Sequence, residues 1–253
     1  MSSNLIFGTK IKLLKMNQLD LRKQVVLDLK KTIGLDGQKA TVVLVLDKSG
    51  SMQTRYQNGF VQRLLDRVLP IGLGFDDDQS VDLIVFHHEA FMHTPITRAT
   101  IGNIVADVVK SYQWGATNYA PPINLLMDVV VGKQVKTGGV LGMGGTMKRP
   151  NTPQQNPVYV IYVTDGQNDD KSATEESLRE CSQYPIFFQF VGIGNERFTF
   201  LQKLDDLPGR VRDNADFFQA NDLDSISDDE LYSRMMTEFP EFVRQCKTAG
   251  LIR

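Results

Sequence analysis

The residues best equipped for chemistry stand in three short runs. The first is Asp47-Lys48-Ser49-Gly50-Ser51-Met52, directly after the apolar run Val42-Val43-Leu44-Val45-Leu46. An aspartate with hydroxyls two and four positions on offers three hard oxygen ligands from a single turn, and Gly50 permits the sharp backbone that turn needs. The second run, Gly115-Ala116-Thr117-Asn118, adds the hydroxyl of Thr117, with Asn118 read as loop support. The third, Thr164-Asp165-Gly166, closes another apolar run and adds a second carboxylate. Hard oxygens in small number suit Mg²⁺, with Mn²⁺ and Ca²⁺ as alternatives. Asp47 and Asp165 balance a divalent charge, and the set leaves coordination open for water or an external ligand. Taken singly, Ser49 and Ser51 would serve as well to cap a following helix, and Asp47 to bond loop amides. The five together favour a metal.

Such runs need a scaffold that gathers them at one end of a sheet. Residues 42–46, 81–86, 158–163 and 186–193 are near-continuous apolar stretches, as in strands covered on both faces, although Asp82 and Gln189 interrupt two of them. Between them lie helical stripes: Phe60, Val61, Leu64, Leu65, Val68 and Leu69; Ile101, Ile104, Val105 and Val108; Ile123, Leu126, Met127 and Val130. The alternation predicts an α/β fold with a mostly parallel central sheet and helices on both faces. Ligands in such sheets bind beyond the carboxyl ends of the strands, where the three runs lie. The interval from Phe86 to Phe91 leaves room only for a hairpin, so one antiparallel edge strand is expected near Phe91.

Outside this core, residues 1–39 read as an accessory segment, with a short strand at 10–14 and a helix over 19–33 stopped by Gly34 and Gly37. Residues 40–225 form the main domain. Residues 226–253 read as a helical extension packed on it, opening with a Ser227/Glu230 capping box. Leu231, Met235 and Phe239 carry that extension's apolar face until Pro240 kinks or restarts the helix. Residues 132–157 hold six glycines, three prolines and no acidic residue, and read as a flexible solvated insertion rather than a basic arm.

The order Asp-x-Ser-x-Ser after a buried strand, Thr117 in a Gly-Ala-Thr-Asn loop and Thr-Asp-Gly after another strand resembles the von Willebrand factor A (vWA) domain. The resemblance spans roughly residues 40–225 and implies a Rossmann-like sheet. It implies that Asp47, Ser49, Ser51, Thr117 and Asp165 form a metal-ion-dependent adhesion site, whose cation accepts an Asp or Glu carboxylate from a partner protein. It also implies that ligand exchange is coupled to a C-terminal helix, here residues 228–239. Val191-Gly192-Ile193-Gly194-Asn195, Asp213-Asn214 before Phe217-Phe218, and Glu238-Phe239-Pro240-Glu241-Phe242 are similar to the bacterial tellurium-resistance and stress-response branch. The expectation is a binding module and not an enzyme. The alternatives are a metal-dependent phosphoester hydrolase, disfavoured because Ser49 stands where a second carboxylate would be needed, and a scaffold with a metal-free vestige of the site.

The remaining signals weigh less. Over 253 residues the net charge is −2, with 42% hydrophobic and 23% charged residues, so a nucleic-acid partner gripped by a basic surface is not expected. Two cysteines, Cys181 and Cys246, make no disulfide framework and fit a reducing compartment. The first ten residues lack a signal-peptide pattern, and no long apolar stretch predicts membrane insertion, so a cytoplasmic protein is expected. His87, His88, Glu89 and His93 lack a standard zinc spacing and read as exposed hairpin residues. Asp76, Asp78, Ser80 and Asp82 imitate a calcium loop but fail at Val81 and His87. Gly192-x-Gly194 lacks its third glycine, and residues 142–148 lack phosphate-loop spacing. Asp169 and Asp170 read as a solvated helix start. Trp114 is left open between a rim of the ligand site and core packing.

Overall fold

The computed structural model describes residues 2–75, 79–137, 146–150, 152–220 and 225–253, with side chains described from residue 17 onward except at 136, 137 and 146. The described strands are β1 (Thr41–Asp47), β2 (Ser80–Phe86), β3 (Ala90–Thr97), β4 (Val135–Thr137), β5 (Thr146–Lys148), β6 (Val158–Thr164), β7 (Ile186–Ile193) and β8 (Ala215–Ala220). Six of them form one sheet in the order β3-β2-β1-β6-β7-β8. Every neighbouring pair is parallel except the hairpin of β2 and β3. The fold is the Rossmann-like α/β sheet that the alternating runs predict, with its antiparallel edge strand in place.

The helices are α1 (Ser2–Thr32), α2 (Gln53–Gln57), α3 (Phe60–Phe75), α4 (Ile104–Ser111), α5 (Ala120–Val130), α6 (Lys171–Cys181), α7 (Thr199–Asp205), α8 (Asp228–Met235) and α9 (Phe239–Thr248). Alternate residues of β1 feed two separate cores, because successive side chains leave opposite faces of a strand. Val42, Leu44 and Leu46 pack with α3, α4, α8 and α9. Val43 and Val45 pack with α5, α6 and α7. The long α1 lies against α3 and α8. Arg22 and Arg67 close on Asp228 at 3.0 and 2.8 Å, tying α1 and α3 to the start of α8.

Two local expectations are corrected. Residues 10–14 are helical, since α1 runs straight through them. Their alternation of Lys with Ile and Leu is too short to separate strand from helix, and a segment without proline lets the helix propagate. Residues 228–239 are not one helix: α8 ends at Met235, and Pro240 opens α9, where its missing N–H leaves no bond unmade. Ser227 does cap α8, accepting from the Glu230 amide at 3.2 Å.

The expected flexible insertion falls partly outside the described residues, at 138–145 and 151, as does most of the glycine run 142–148. Its described ends pair as the antiparallel ribbon β4–β5. Arg149 fastens that ribbon, bonding Glu180 at 3.2 Å, the Gly132 carbonyl at 2.8 Å, and Asp128. Asp76 and Asp78 of the calcium-loop imitation also lie outside the described residues.

The chain passes from β1 to β2 on one side and reaches β6 on the other, so the strand order switches direction between β1 and β6. A crevice at the carboxyl ends of such a pair is where open α/β sheets bind ligands. Asp47 ends β1 and Thr164 ends β6.

Candidate metal centre

Asp47 is fully buried and its carboxylate is held from two sides. The Ser49 amide donates to Oδ1 and the Thr164 hydroxyl to Oδ2, each at 2.7 Å. Thr164 spends its one proton on Asp47, so the Tyr119 hydroxyl, 2.9 Å away, donates to Thr164 in turn. Burial still pushes Asp47 up to about 7, against the lowering effect of these donors, and Asp165 adds to the rise. The Ser49 and Ser51 hydroxyls face each other at 3.1 Å. Ser49 stands at the N-cap of the 3-10 turn Gly50–Met52, yet its side chain makes no capping bond. The capping alternative for Ser49 therefore fails.

Asp165 is buried, and its Oδ1 has no hydrogen-bond partner. An orphaned carboxylate oxygen is costly to bury unless a cation or donor meets it. Its Oδ2 faces the Arg55 guanidinium at 3.5 Å. The turn behind Asp165 is wedged by Phe198. A Cβ on Gly166 or Gly192 would lie 2.6 or 2.8 Å from its ring. Phe198 holds a left-handed backbone, φ 46°, which costs about 1–3 kcal/mol in a non-glycine residue. Strain of that kind persists only where the surroundings impose it.

Thr117 is also buried and reaches the same end of the sheet through its loop. The Gly50 amide donates to the Gly115 carbonyl at 2.9 Å, and Ser49 bridges Gly115. Asn118 ties the loop down through its backbone N–H, which donates to the His87 carbonyl at 3.1 Å. Asp169 and Asp170 do more than begin a solvated helix. Asp169 accepts from the Thr117 amide at 3.3 Å and returns its own amide to the Thr117 carbonyl at 2.8 Å. Asp170 accepts from the Tyr119 and Ala120 amides at 2.8 and 3.0 Å, closing the N-terminus of α5. The donor set of hydroxyls and carboxylates, with one carboxylate oxygen buried and partnerless, fits a hard divalent cation.

Lys48 and Trp114 form a pair that the sequence did not announce. The Lys48 ammonium is buried without a hydrogen-bond partner and lies 2.9 Å from the centre of the Trp114 ring. Burial pushes it down to about 8. Trp114 meets Tyr56 edge-on at 5.3 Å and packs, partly buried, against the core.

His87 is buried, correcting its expected exposure: Gly115 lies close against it, and its ring meets Phe91 at 5.4 Å and stacks on His88 with ring centres 4.3 Å apart. Donor atoms of His87, His88 and Glu89 lie within 4.8 Å of one another. However, His87 Nδ1 accepts from the Glu89 amide at 3.0 Å. A ligating histidine donates its second ring nitrogen instead, so this arrangement speaks against a metal there.

Comparison with known proteins places these features in a family. Residues 39–252 match the family profile described as vWA-TerF-like, vWA found in TerF C terminus. The uncharacterized protein YcbR of Bacillus subtilis (strain 168) is 33% identical over 242 residues, covering 94% of this chain and 91% of that protein. Among solved structures, the manganese-loaded TRAP protein of Plasmodium vivax superposes with a TM-score of 0.50 at 17% identity, over 72% of this chain and 69% of that one. Proximal thread matrix protein 1 of the mussel byssus gives a TM-score of 0.46 at 16% identity, over 81% of this chain. The chain spans about half, 47%, of that mussel protein. Among the described residues no helix is long and apolar enough to cross a membrane.

Proposed function

The chain belongs to the vWA-TerF-like family, and from that premise we propose that it is a metal-dependent protein-binding module. Asp47, Ser49, Ser51, Thr117 and Asp165 hold a divalent cation, Mg²⁺ with Mn²⁺ or Ca²⁺ as alternatives, and the ligand is an Asp or Glu carboxylate of a partner protein. The single observation that carries this reading is the buried, partnerless Oδ1 of Asp165. When bound, the cation supplies an electropositive position for an incoming anionic oxygen.

The chain's own residues do the rest. Ser49 N–H and Thr164 Oγ1 fix the orientation of Asp47, and Tyr119 fixes Thr164. Asp169 and Asp170 hold the Thr117 loop in place. Such outer contacts set the direction in which ligand oxygens point and are worth roughly 10–100-fold in metal affinity elsewhere. Arg22 and Arg67 fasten α8 through Asp228, so movement of the C-terminal helices on ligand exchange would have to break that junction.

The test is equilibrium binding of Mn²⁺, followed by electron paramagnetic resonance, to the wild type and to Asp47→Ala. Binding by the wild type alone supports the reading. Hydrolysis of p-nitrophenyl phosphate that needs Mg²⁺ and vanishes in Asp47→Ala would replace it with a phosphoester hydrolase. The family description names TerF, and on that likeness we propose a role in tellurium resistance or stress response. In a deletion strain, tellurite tolerance restored by the wild-type chain and not by Asp47→Ala would establish that role. The buried free thiols of Cys181 and Cys246 support a reducing, cytoplasmic setting.

A further inference from the structure

Arg55 projects from α2 towards the metal centre, and no sequence pattern marks it. Its Nη1 approaches Asp165 Oδ2 at 3.5 Å and the Ser51 carbonyl at 3.4 Å. Both contacts are long. Arg67, a structural arginine, is held by Asp228 and the Ile226 carbonyl at 2.8 Å each, with its side chain 9% exposed. Arg55 is 25% exposed, while the Asp165 it faces is only 4% exposed. The guanidinium is therefore placed by its surroundings yet not locked, and one side of it meets solvent.

The opposite wall is shaped to receive it. Gly194, just past β7, has φ 118°, and a Cβ there would lie 2.2 Å from Arg55 Nη2. The absence of a side chain at Gly194 is what makes room for the guanidinium beside Asp165. The carboxylate thus has two unlike oxygens: Oδ2 shares a positive charge supplied by the protein, and Oδ1 has no partner.

We propose that Arg55 is a second, protein-borne cation of the centre, which competes with the metal for the charge of Asp165 and makes metal binding depend on an anionic ligand. The inference rests on the metal-binding reading above. A guanidinium already beside the carboxylate weakens its pull on another cation, since like charges a few ångströms apart repel. Once an anionic oxygen arrives, the same guanidinium favours it, and its planar fork suits a carboxylate. The centre then takes metal and acidic ligand together more readily than metal alone.

The experiment is a Mn²⁺ titration of the full chain by electron paramagnetic resonance, with wild type, Arg55→Gln and Arg55→Lys, in chloride and then in acetate at equal ionic strength. Melting in EDTA verifies that each variant is folded. In chloride, Arg55→Gln is expected to bind Mn²⁺ about tenfold tighter, or about 1.4 kcal/mol, while Arg55→Lys, which keeps the charge, stays near wild type. Acetate is expected to tighten Mn²⁺ binding more in the wild type than in Arg55→Gln. Equal or weaker Mn²⁺ binding by Arg55→Gln overturns the proposal, as does equal enhancement by acetate. If none of the proteins binds Mn²⁺, the metal-binding reading itself falls and takes this inference with it, an outcome distinct from equal affinities.

Discussion

At the carboxyl ends of β1 and β6, Asp47 and Asp165 share their surroundings with hydroxyls and an arginine, whereas beside edge strand β8, Asp216 shares its surroundings with Asp205 and Glu238. In the second group the carboxylate oxygens of all three residues lie within 4.8 Å of one another. Burial, then repulsion from Asp216, pushes Asp205 and Glu238 up to about 7, and burial also raises Asp216. Gln189, with its amide turned to donate, meets Asp216 Oδ2 at 3.0 Å. Burial raises Asp47 to a similar value. What differs is the company. Around Asp47 and Asp165 the neighbours are hydroxyls and fixed amides, which can serve as ligands or orient them; around Asp216, besides the Gln189 amide and the more distant Arg210, they are further acids, which relieve repulsion by taking up protons. An acidic cluster and a set of carboxylates held by hydroxyls and amides are therefore different objects, even where burial raises carboxylates in both.

The largest expected effect separates the two groups directly. Asp165→Asn should weaken Mn²⁺ binding on the order of 100-fold or more, beyond the usual cost of an outer contact, while Asp216→Asn should leave it within about twofold. Titrations of both variants followed by paramagnetic resonance check this, and comparable losses would erase the distinction. Tyr119→Phe sharpens it by removing the donor behind Thr164. Metal affinity should fall about tenfold, while melting in EDTA shifts by no more than about 1 kcal/mol, the net worth of one hydrogen bond.

The smallest effect belongs to the acidic group and has a definite sign. Glu238 has a folded-state value above its unfolded one, so its favourable contribution is complete below about pH 4 and is lost as the pH rises through about 7. Glu238→Gln should therefore stabilise the protein at pH 8, with no gain at pH 4. The group is partly exposed, so solvent screening limits the gain to about 1 kcal/mol, or about 2–4 °C in Tm. Melts at the two pH values check it, and a wild type that is the more stable at pH 8 would contradict the proton-sharing account.

The sequence was legible where signals are local. The runs at 42–46 and 158–163 identify β1 and β6 because strands covered on both faces need no alternation. Asp47, Ser49 and Ser51 are legible as a group because one turn carries them. The strand expected at 10–14 is where a short pattern fits two periods, and α1 won. Arg55 was invisible because its meaning depends on Gly194, brought near only by the sheet order. The trio of Asp205, Asp216 and Glu238 was likewise hidden, since α7, β8 and the start of α9 meet only in the fold. Lys48 falls between two singled-out residues, yet nothing local tells that its ammonium lies on Trp114.

The most direct measurement is a thermal melt of the wild type and Asp47→Ala in EDTA and then with excess Mg²⁺ or Mn²⁺. At a metal concentration about ten times Kd, linkage contributes roughly 1.4 kcal/mol, which raises Tm by about 3–6 °C in a chain of this size. That rise is expected in the wild type and none in Asp47→Ala. No rise in the wild type, or an equal rise in both proteins, would contradict a metal centre built on Asp47.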